Sequence, residues 1–121
     1  MVKALLDTNI VIDFLNGVED ARDEFARYDD LAISVITWME VLAGAAEETA
    51  AMTRRFLSRF TLIRLDEDVA ERAVELRRSN RIKLPDAIVW ASALRDARLL
   101  ITRDVRAFPA DDPGVRVPYR L

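Results

Sequence analysis

Ala4-Leu5-Leu6-Asp7-Thr8-Asn9-Ile10-Val11-Ile12-Asp13-Phe14-Leu15 changes periodicity at its single acid-led break. Ala4-Leu5-Leu6 is an unbroken apolar run, as a strand buried on both faces requires, and it stops at Asp7. From Thr8 the apolar residues pair at i,i+4, Ile10 with Phe14 and Val11 with Leu15, a helical stripe that Gly17 is placed to end. The same strand-to-helix step recurs. Leu31-Ala32-Ile33 leads to Ser34, placed to cap a helix through about Gly44. Leu62 to Leu65 is stopped by Asp66-Glu67-Asp68, acids that favour the first turn of a helix whose stripe is Val69, Ala73 and Leu76. Between these, Ala21, Phe25 and Tyr28 mark one face of a short helix, and Met52, Phe56 and Phe60 mark another.

Leu84-Pro85-Asp86 opens a further helix, since proline is tolerated in a first turn. Its body, Ala87 to Leu94, is apolar nearly all round, which predicts burial. Leu99-Leu100-Ile101-Thr102 is a strand, and Val115-Arg116-Val117 a last strand at an edge. Short apolar strands alternating with helices predict an α/β fold, a three-layer α/β/α sandwich on a short, mostly parallel sheet. No repeat, linker or composition break divides residues 1–121, which read as one domain.

The chain is 51% hydrophobic and 32% charged, with a net charge of -3, and contains neither histidine nor cysteine. No Ser-His-Asp triad, Cys-His pair, thiolate or imidazole zinc site, or disulfide framework can be built from it. Chemistry is left to carboxylates, hydroxyls, arginines and a borrowed ion. The apolar run before Asp7 is too short for a signal peptide, and no segment approaches the roughly 20 apolar residues of a membrane span. No membrane partner is therefore expected, and the cytoplasm is the default compartment. Charge is uneven: residues 1–30 hold eight acids and three bases, residues 54–106 thirteen bases and eight acids. Such a layout fits a partner bound locally.

Four acids are placed where parallel sheets bind ligands, outside the carboxyl ends of strands. Asp7 follows the first strand and Asp104 the Leu99–Thr102 strand. The helix from Pro85 feeds that strand through a short turn, so the two run antiparallel and Asp86 reaches the same edge. Glu40 lies roughly 9 Å along the Ser34 helix at about 1.5 Å per residue. Each also has a plainer reading: Asp7 as a helix cap, Asp86 as a complement to the helix dipole, Asp104 as a turn residue. Glu40, among Ile36, Trp38, Met39, Val41 and Leu42 with no base at i±3 or i±4, needs a distant cation or the helix's wet face. Four converging carboxylates raise one another's pKa and suit a hard divalent cation, Mg²⁺ or Mn²⁺, that polarises phosphate and activates water. Thr8, Asn9, Thr37 and Thr102 are candidates to orient them, with capping or turn roles as the alternative.

Leu-Leu-Asp7-Thr8-Asn9, Ile33-Ser34 through Thr37 and Glu40 to Gly44, Leu84-Pro85-Asp86-Ala87 and Ile101-Thr102-Arg103-Asp104 resemble, in this order, the PIN-domain ribonucleases, above all the VapC toxins of bacterial toxin–antitoxin pairs. The resemblance implies a PIN-like fold and a Mg²⁺- or Mn²⁺-dependent endoribonuclease. It also implies a homodimer, a VapB-type antitoxin as partner, and structured RNA such as tRNA as substrate. Asp7, Glu40 and Asp86 match the family's regular acids as catalytic and metal-binding residues. Asp104 matches a more variable fourth position, and Ala107 departs from the acid many members carry three residues on. Arg103, beside Asp104, is a candidate for holding RNA, and Trp38, Met39 and Leu42 for lining a groove that receives the antitoxin. Two other readings remain open: a HAD-like or receiver-type phosphotransfer domain with Asp7 as nucleophile, and a non-catalytic protein-binding module. Against the former, Asn9 stands where a phosphatase wants a second Asp, and Lys3 and Lys83 are the only lysines.

Overall fold

A computed structural model describes residues 2–121. The chain runs β1 (Lys3–Leu6), α1 (Thr8–Leu15), α2 (Glu19–Phe25), β2 (Asp30–Ser34), α3 (Val35–Gly44), α4 (Ala50–Leu57), β3 (Thr61–Ile63), α5 (Glu67–Asn80), α6 (Leu84–Arg95), β4 (Leu99–Ile101) and β5 (Val115–Arg116). The five strands form one sheet in the order β3-β2-β1-β4-β5, and every pairing is parallel.

Because strand side chains alternate, adjacent residues of β1 feed different layers. Leu5 joins Ala73, Val89, Leu100 and Phe108 in the layer under α5 and α6. Ala4 and Leu6 join Ile10, Val11, Val41 and Leu57 in the layer under α1 to α4. The expected sandwich is thus present, with α6 buried from Ala87 to Ala93. Asp7, Ser34 and Asp66 each cap the helix that follows with a side-chain oxygen. Gly17, at φ +80, takes the left-handed turn after α1 at no steric cost.

Three boundaries differ from the sequence expectation. Tyr28 lies beyond α2 and donates its hydroxyl to Glu24. Phe60 lies beyond α4, whose buried residue is Leu57, while Met52 is 70% exposed. The aromatic rings here stack across elements instead of along one face: Phe14 packs on Phe25 and Phe56, and Phe60 meets Phe25 and Phe56 edge-on. The third strand is Thr61–Ile63, a frame earlier than Leu62–Leu65.

Charged groups also enter the interior. Glu24 of α2, whose side chain is 4% exposed, receives Arg116 Nε and Nη2 of β5 at 2.7 and 3.0 Å. Burial would raise the Glu24 pKa, but hydrogen bonds from Arg116 and Tyr28 outweigh it and hold the carboxyl below its usual value. This pair fastens the two-residue edge strand to the helical layer. Breaking a buried pair leaves an uncompensated charge, whereas replacing both members removes the problem. Arg116→Met is therefore expected to cost about 3 kcal/mol in urea unfolding. The double variant Glu24→Leu/Arg116→Met is expected to recover most of that loss.

Candidate active site

From β1 the chain steps outward to β2 and β3 on one side, then crosses to β4 and β5 on the other, so strand order reverses between β1 and β4. Neighbouring connections leave in opposite directions at such a switch point and open a crevice beyond the carboxyl ends. Asp7 and the Thr102-Arg103-Asp104 turn stand on its two sides, joined where Asp7 N–H donates to Ile101 O at 2.9 Å.

Asp7 is buried, and its carboxylate is saturated with donors. Oδ1 accepts from Thr8 N–H at 2.8 Å, and Oδ2 from Thr102 Oγ1 at 2.8 Å and Asn9 Nδ2 at 3.2 Å. Burial pushes its pKa up to about 6; the Thr102 and Thr8 hydrogen bonds oppose this, and the charges of Asp86 and Asp104 add to it. Asp86, in the first turn of α6, is likewise raised by burial, then by Asp104 and Glu40, with Lys83 opposing. The four acids therefore feel one another across one rim, from α1, α3, α6 and the turn after β4.

Glu40 lies on the exposed side of α3, and a hydroxyl relay reaches it instead of a cation. Thr8 Oγ1 donates to Glu40 Oε1 at 2.6 Å and lies 2.9 Å from Thr37 Oγ1. A hydroxyl has one proton, so Thr37 is the donor to Thr8. Asp104 combines two of its readings. Its Oδ1 caps a turn by accepting from Arg106 and Ala107 N–H at 3.0 and 3.1 Å, and its own N–H donates to Thr102 Oγ1 at 2.9 Å. Thr8, Asn9, Thr37 and Thr102 all touch this carboxylate network.

Two expectations are corrected. The Arg103 side chain does not face the rim. Its Nε and Nη2 donate to buried Asp13 at 2.6 and 3.0 Å, and Tyr119 Oη donates to the same carboxylate at 2.8 Å. A guanidinium committed bidentately to a buried acid is not available to RNA. Only the Arg103 backbone serves the site, donating N–H to Asn9 Oδ1 at 3.2 Å. The apolar groove beside Glu40, about 640 Å³, is bordered by Ile12, Leu15, Val41, Gly44, Ala45 and Met52, not by Trp38, Met39 and Leu42. Trp38 and Leu42 pack into the α1–α4 layer, with Arg54 over the indole, and Met39 is exposed. Val41 and Ala45 face the groove because they follow Glu40 by one and five positions, a helical turn apart.

Sequence reasoning missed Asp13 and Tyr119. Asp13 sits between Val11 and Phe14 on an otherwise apolar helix, the same signal that singled out Glu40. Tyr119 left no local mark, since its partner is 106 positions away.

All donors on the rim are hard oxygens, as Mg²⁺ or Mn²⁺ requires. Among the described residues, no lysine or arginine forms an ion pair with Asp7, Glu40, Asp86 or Asp104. Nor do three acidic side chains close on a single ion-sized point. The fit to a hard divalent ion therefore rests on the chemistry of the oxygen donors.

A family model described as PIN domain matches residues 4–110. The chain is 36% identical over 113 residues to Ribonuclease VapC10 of Mycobacterium tuberculosis, covering 87% of this chain and 85% of the relative. It is similar in structure to a chain of a toxin–antitoxin complex from Klebsiella pneumoniae, with 44% identity, TM-score 0.92 and coverage of 98% and 99%. It is also similar to a chain of DNA-bound VapBC from Salmonella typhimurium, with 28% identity, TM-score 0.74 and 96% coverage of each.

The Asp7 shift has a consequence for stability. The folded chain holds this proton more tightly than the unfolded one, so stability from this group falls as pH rises through the window from 3.8 to about 6. In EDTA, Asp7→Asn is expected to match the wild type near pH 4 and to exceed it near pH 7 by on the order of 2 kcal/mol in urea unfolding.

Proposed function

The chain belongs to the PIN-domain family, among its VapC ribonucleases, and from that premise we propose that it is a Mg²⁺- or Mn²⁺-dependent endoribonuclease, the toxin of a VapB–VapC-type pair. The observation that carries the reading is the rim itself: Asp86 lies in electrostatic reach of Asp7, Asp104 and Glu40 at the fold's switch point, and among the described residues none of the four forms an ion pair. The HAD-like or receiver-type alternative has no comparable support, because Asn9 stands where a phosphatase wants a second Asp and the family match is to PIN domains.

Asp7 and Asp86 would hold the ion, with Glu40 and the Oδ2 of Asp104 at its flanks. When bound, the ion supplies charge for the phosphate and lowers the pKa of a water. The chain's own residues do the rest. Thr102 and Asn9 fix the direction of the Asp7 carboxylate, and the Thr37–Thr8 relay fixes Glu40 by Oε1, leaving Oε2 as an acceptor for the proton of the attacking water. A water oxygen would bond to phosphorus as the P–O3′ bond breaks, its proton passing to Glu40 Oε2 while the departing O3′ takes a proton from solvent, leaving a 5′-phosphate and a 3′-hydroxyl. Structured RNA such as tRNA, in the cytoplasm, is the substrate class of this reading. No helix of the described residues is long and apolar enough to cross a membrane. The groove beside Glu40 suits a VapB-type antitoxin, which would cover Met52 and Leu15 and so approach the rim, and the toxin would act as a homodimer.

Purified chain free of antitoxin is expected to cut total RNA with Mg²⁺ or Mn²⁺ and to stop in EDTA. Asp7→Asn and Asp86→Asn should each slow cutting by about 100-fold or more, roughly 2.7 kcal/mol of barrier. Cutting that survives both substitutions sinks the reading, and a stable phospho-Asp7 would replace it with phosphotransfer. Thr102→Val is expected to weaken the activating ion's apparent affinity by about 10- to 100-fold, because it releases the Asp7 carboxylate from its donor. A metal titration of the cutting rate reads this directly.

A further inference from the structure

Beside the carboxylate rim lies a cavity of about 530 Å³ whose walls carry the opposite charge. One wall is the α5–α6 loop, with Arg81 and Lys83; the other is the turn after β4, with Arg106. Asp86 and Asp104 border it, so the cavity continues the candidate active site sideways. All three cations are exposed, and among the described residues none forms an ion pair. In a chain of net charge -3, three cations line this cavity against two acids, a local positive excess that no salt bridge absorbs among the described residues.

Both walls are pinned. Ile82, between the two cations of the first wall, is buried, and its carbonyl accepts from Arg77 Nη1 at 2.6 Å. On the second wall Phe108 is buried edge-on to Trp90, and Asp104 Oδ1 ties the Arg106 and Ala107 amides. Cations carried on fixed backbone lose less entropy when they meet an anion. Arg81 also has φ +54, at a helix end where glycine would sit without cost.

The lining also says how the ligand is read. Its apolar members, Ile82, Val105, Ala107 and Pro109, are all aliphatic, no aromatic residue lines the cavity, and the Asn80 amide nitrogen is engaged with Leu76 O at 3.1 Å. Bases would find no aromatic stacking platform, and three exposed cations favour contact with phosphate. Resting on the ribonuclease reading, we propose that this cavity is a subsite for the backbone phosphates of single-stranded RNA flanking the phosphodiester to be cut. Arg81, Lys83 and Arg106 grip those phosphates without regard to base.

The test uses the whole chain. Binding of fluorescent single-stranded oligo-U and oligo-A is measured by anisotropy in the Asp7→Asn background between about 50 and 200 mM salt, a range over which phosphate contacts weaken steeply. Cleavage kinetics are measured in the active background. Arg81→Gly and Arg106→Gln are each expected to raise Kd by about 10-fold and to flatten the log–log salt slope by about 0.7, equally for both sequences. KM should rise in parallel with kcat little changed. Arg59→Gln, beside Asp29 and Leu31 at the other edge of the sheet, should change none of these. Arg81→Gly should keep or raise Tm, which separates a lost contact from a lost fold.

Unchanged Kd and slope in the Arg81→Gly/Arg106→Gln double variant overturn the proposal. So does a fall in kcat at constant KM, or a loss confined to one base. Weakened binding of a VapB-type partner with RNA affinity intact would assign the cations to the protein partner and equally overturn it. If the parent chain cuts no RNA while the binding losses appear as expected, the nuclease reading fails and the phosphate subsite stands.

Discussion

Asp7 has to satisfy three requirements at one residue. It ends a strand buried on both faces, caps the helix that follows, and anchors the turn after β4 through Thr102. The first requirement removes water from around the carboxylate, and the other two supply the donors that make this tolerable. The compensation is incomplete, which is why its pKa stands at about 6 and not far lower, as three donors would otherwise ensure. The fold thus carries a carboxylate whose charge is disfavoured until something positive arrives. Stability is given up at the place where function is proposed, as strained sites generally show.

The rest of the polar interior keeps that residue in position. Asp13 of α1 takes Arg103 and Tyr119, and Glu24 of α2 takes Arg116 and Tyr28. Both clusters join the first two helices to the last fifth of the chain, and each uses the planar fork of arginine against a carboxylate. Such pairs add little net stability over apolar packing. Their geometry is directional, however, and it sets the Thr102–Asp104 turn at one height against α1. Arg98 does the corresponding work at the amino ends of the central strands, buried and donating to Ala4 O, Asp30 O and Asp30 Oδ1.

Most of the fold was legible because its signals are local. Ser34 and Asp66 cap helices as spacing predicts, Pro85 sits in a first turn, and the apolar runs at Leu5, Ala32 and Leu100 are central strands. The acids of the rim were legible for the same reason, each lying next to a strand end or helix start. Strand order was not, since a parallel sheet carries no sequence record of which neighbour a strand chooses. The fate of Arg103 was also hidden: adjacency to Asp104 suggested a shared direction, but consecutive residues in a turn point apart, and its partner is 90 positions away. Trp38 and Leu42 look like surface anchors in the sequence, whereas the layer beneath α3 takes them up, and the groove beside Glu40 is bordered by other residues.

The two clusters also set an order of assembly during synthesis. The ribosome delivers Asp7, Asp13 and Glu24 first, but Thr102, Arg103, Arg116 and Tyr119 only near the end. Until those later residues emerge, Asp13 and Glu24 have no reason to leave water, α1 and α2 have no fixed height, and β1 lacks its β4 neighbour. The carboxylate rim is completed only once the turn after β4 has been made, since Asp104 follows Thr102 and Arg103.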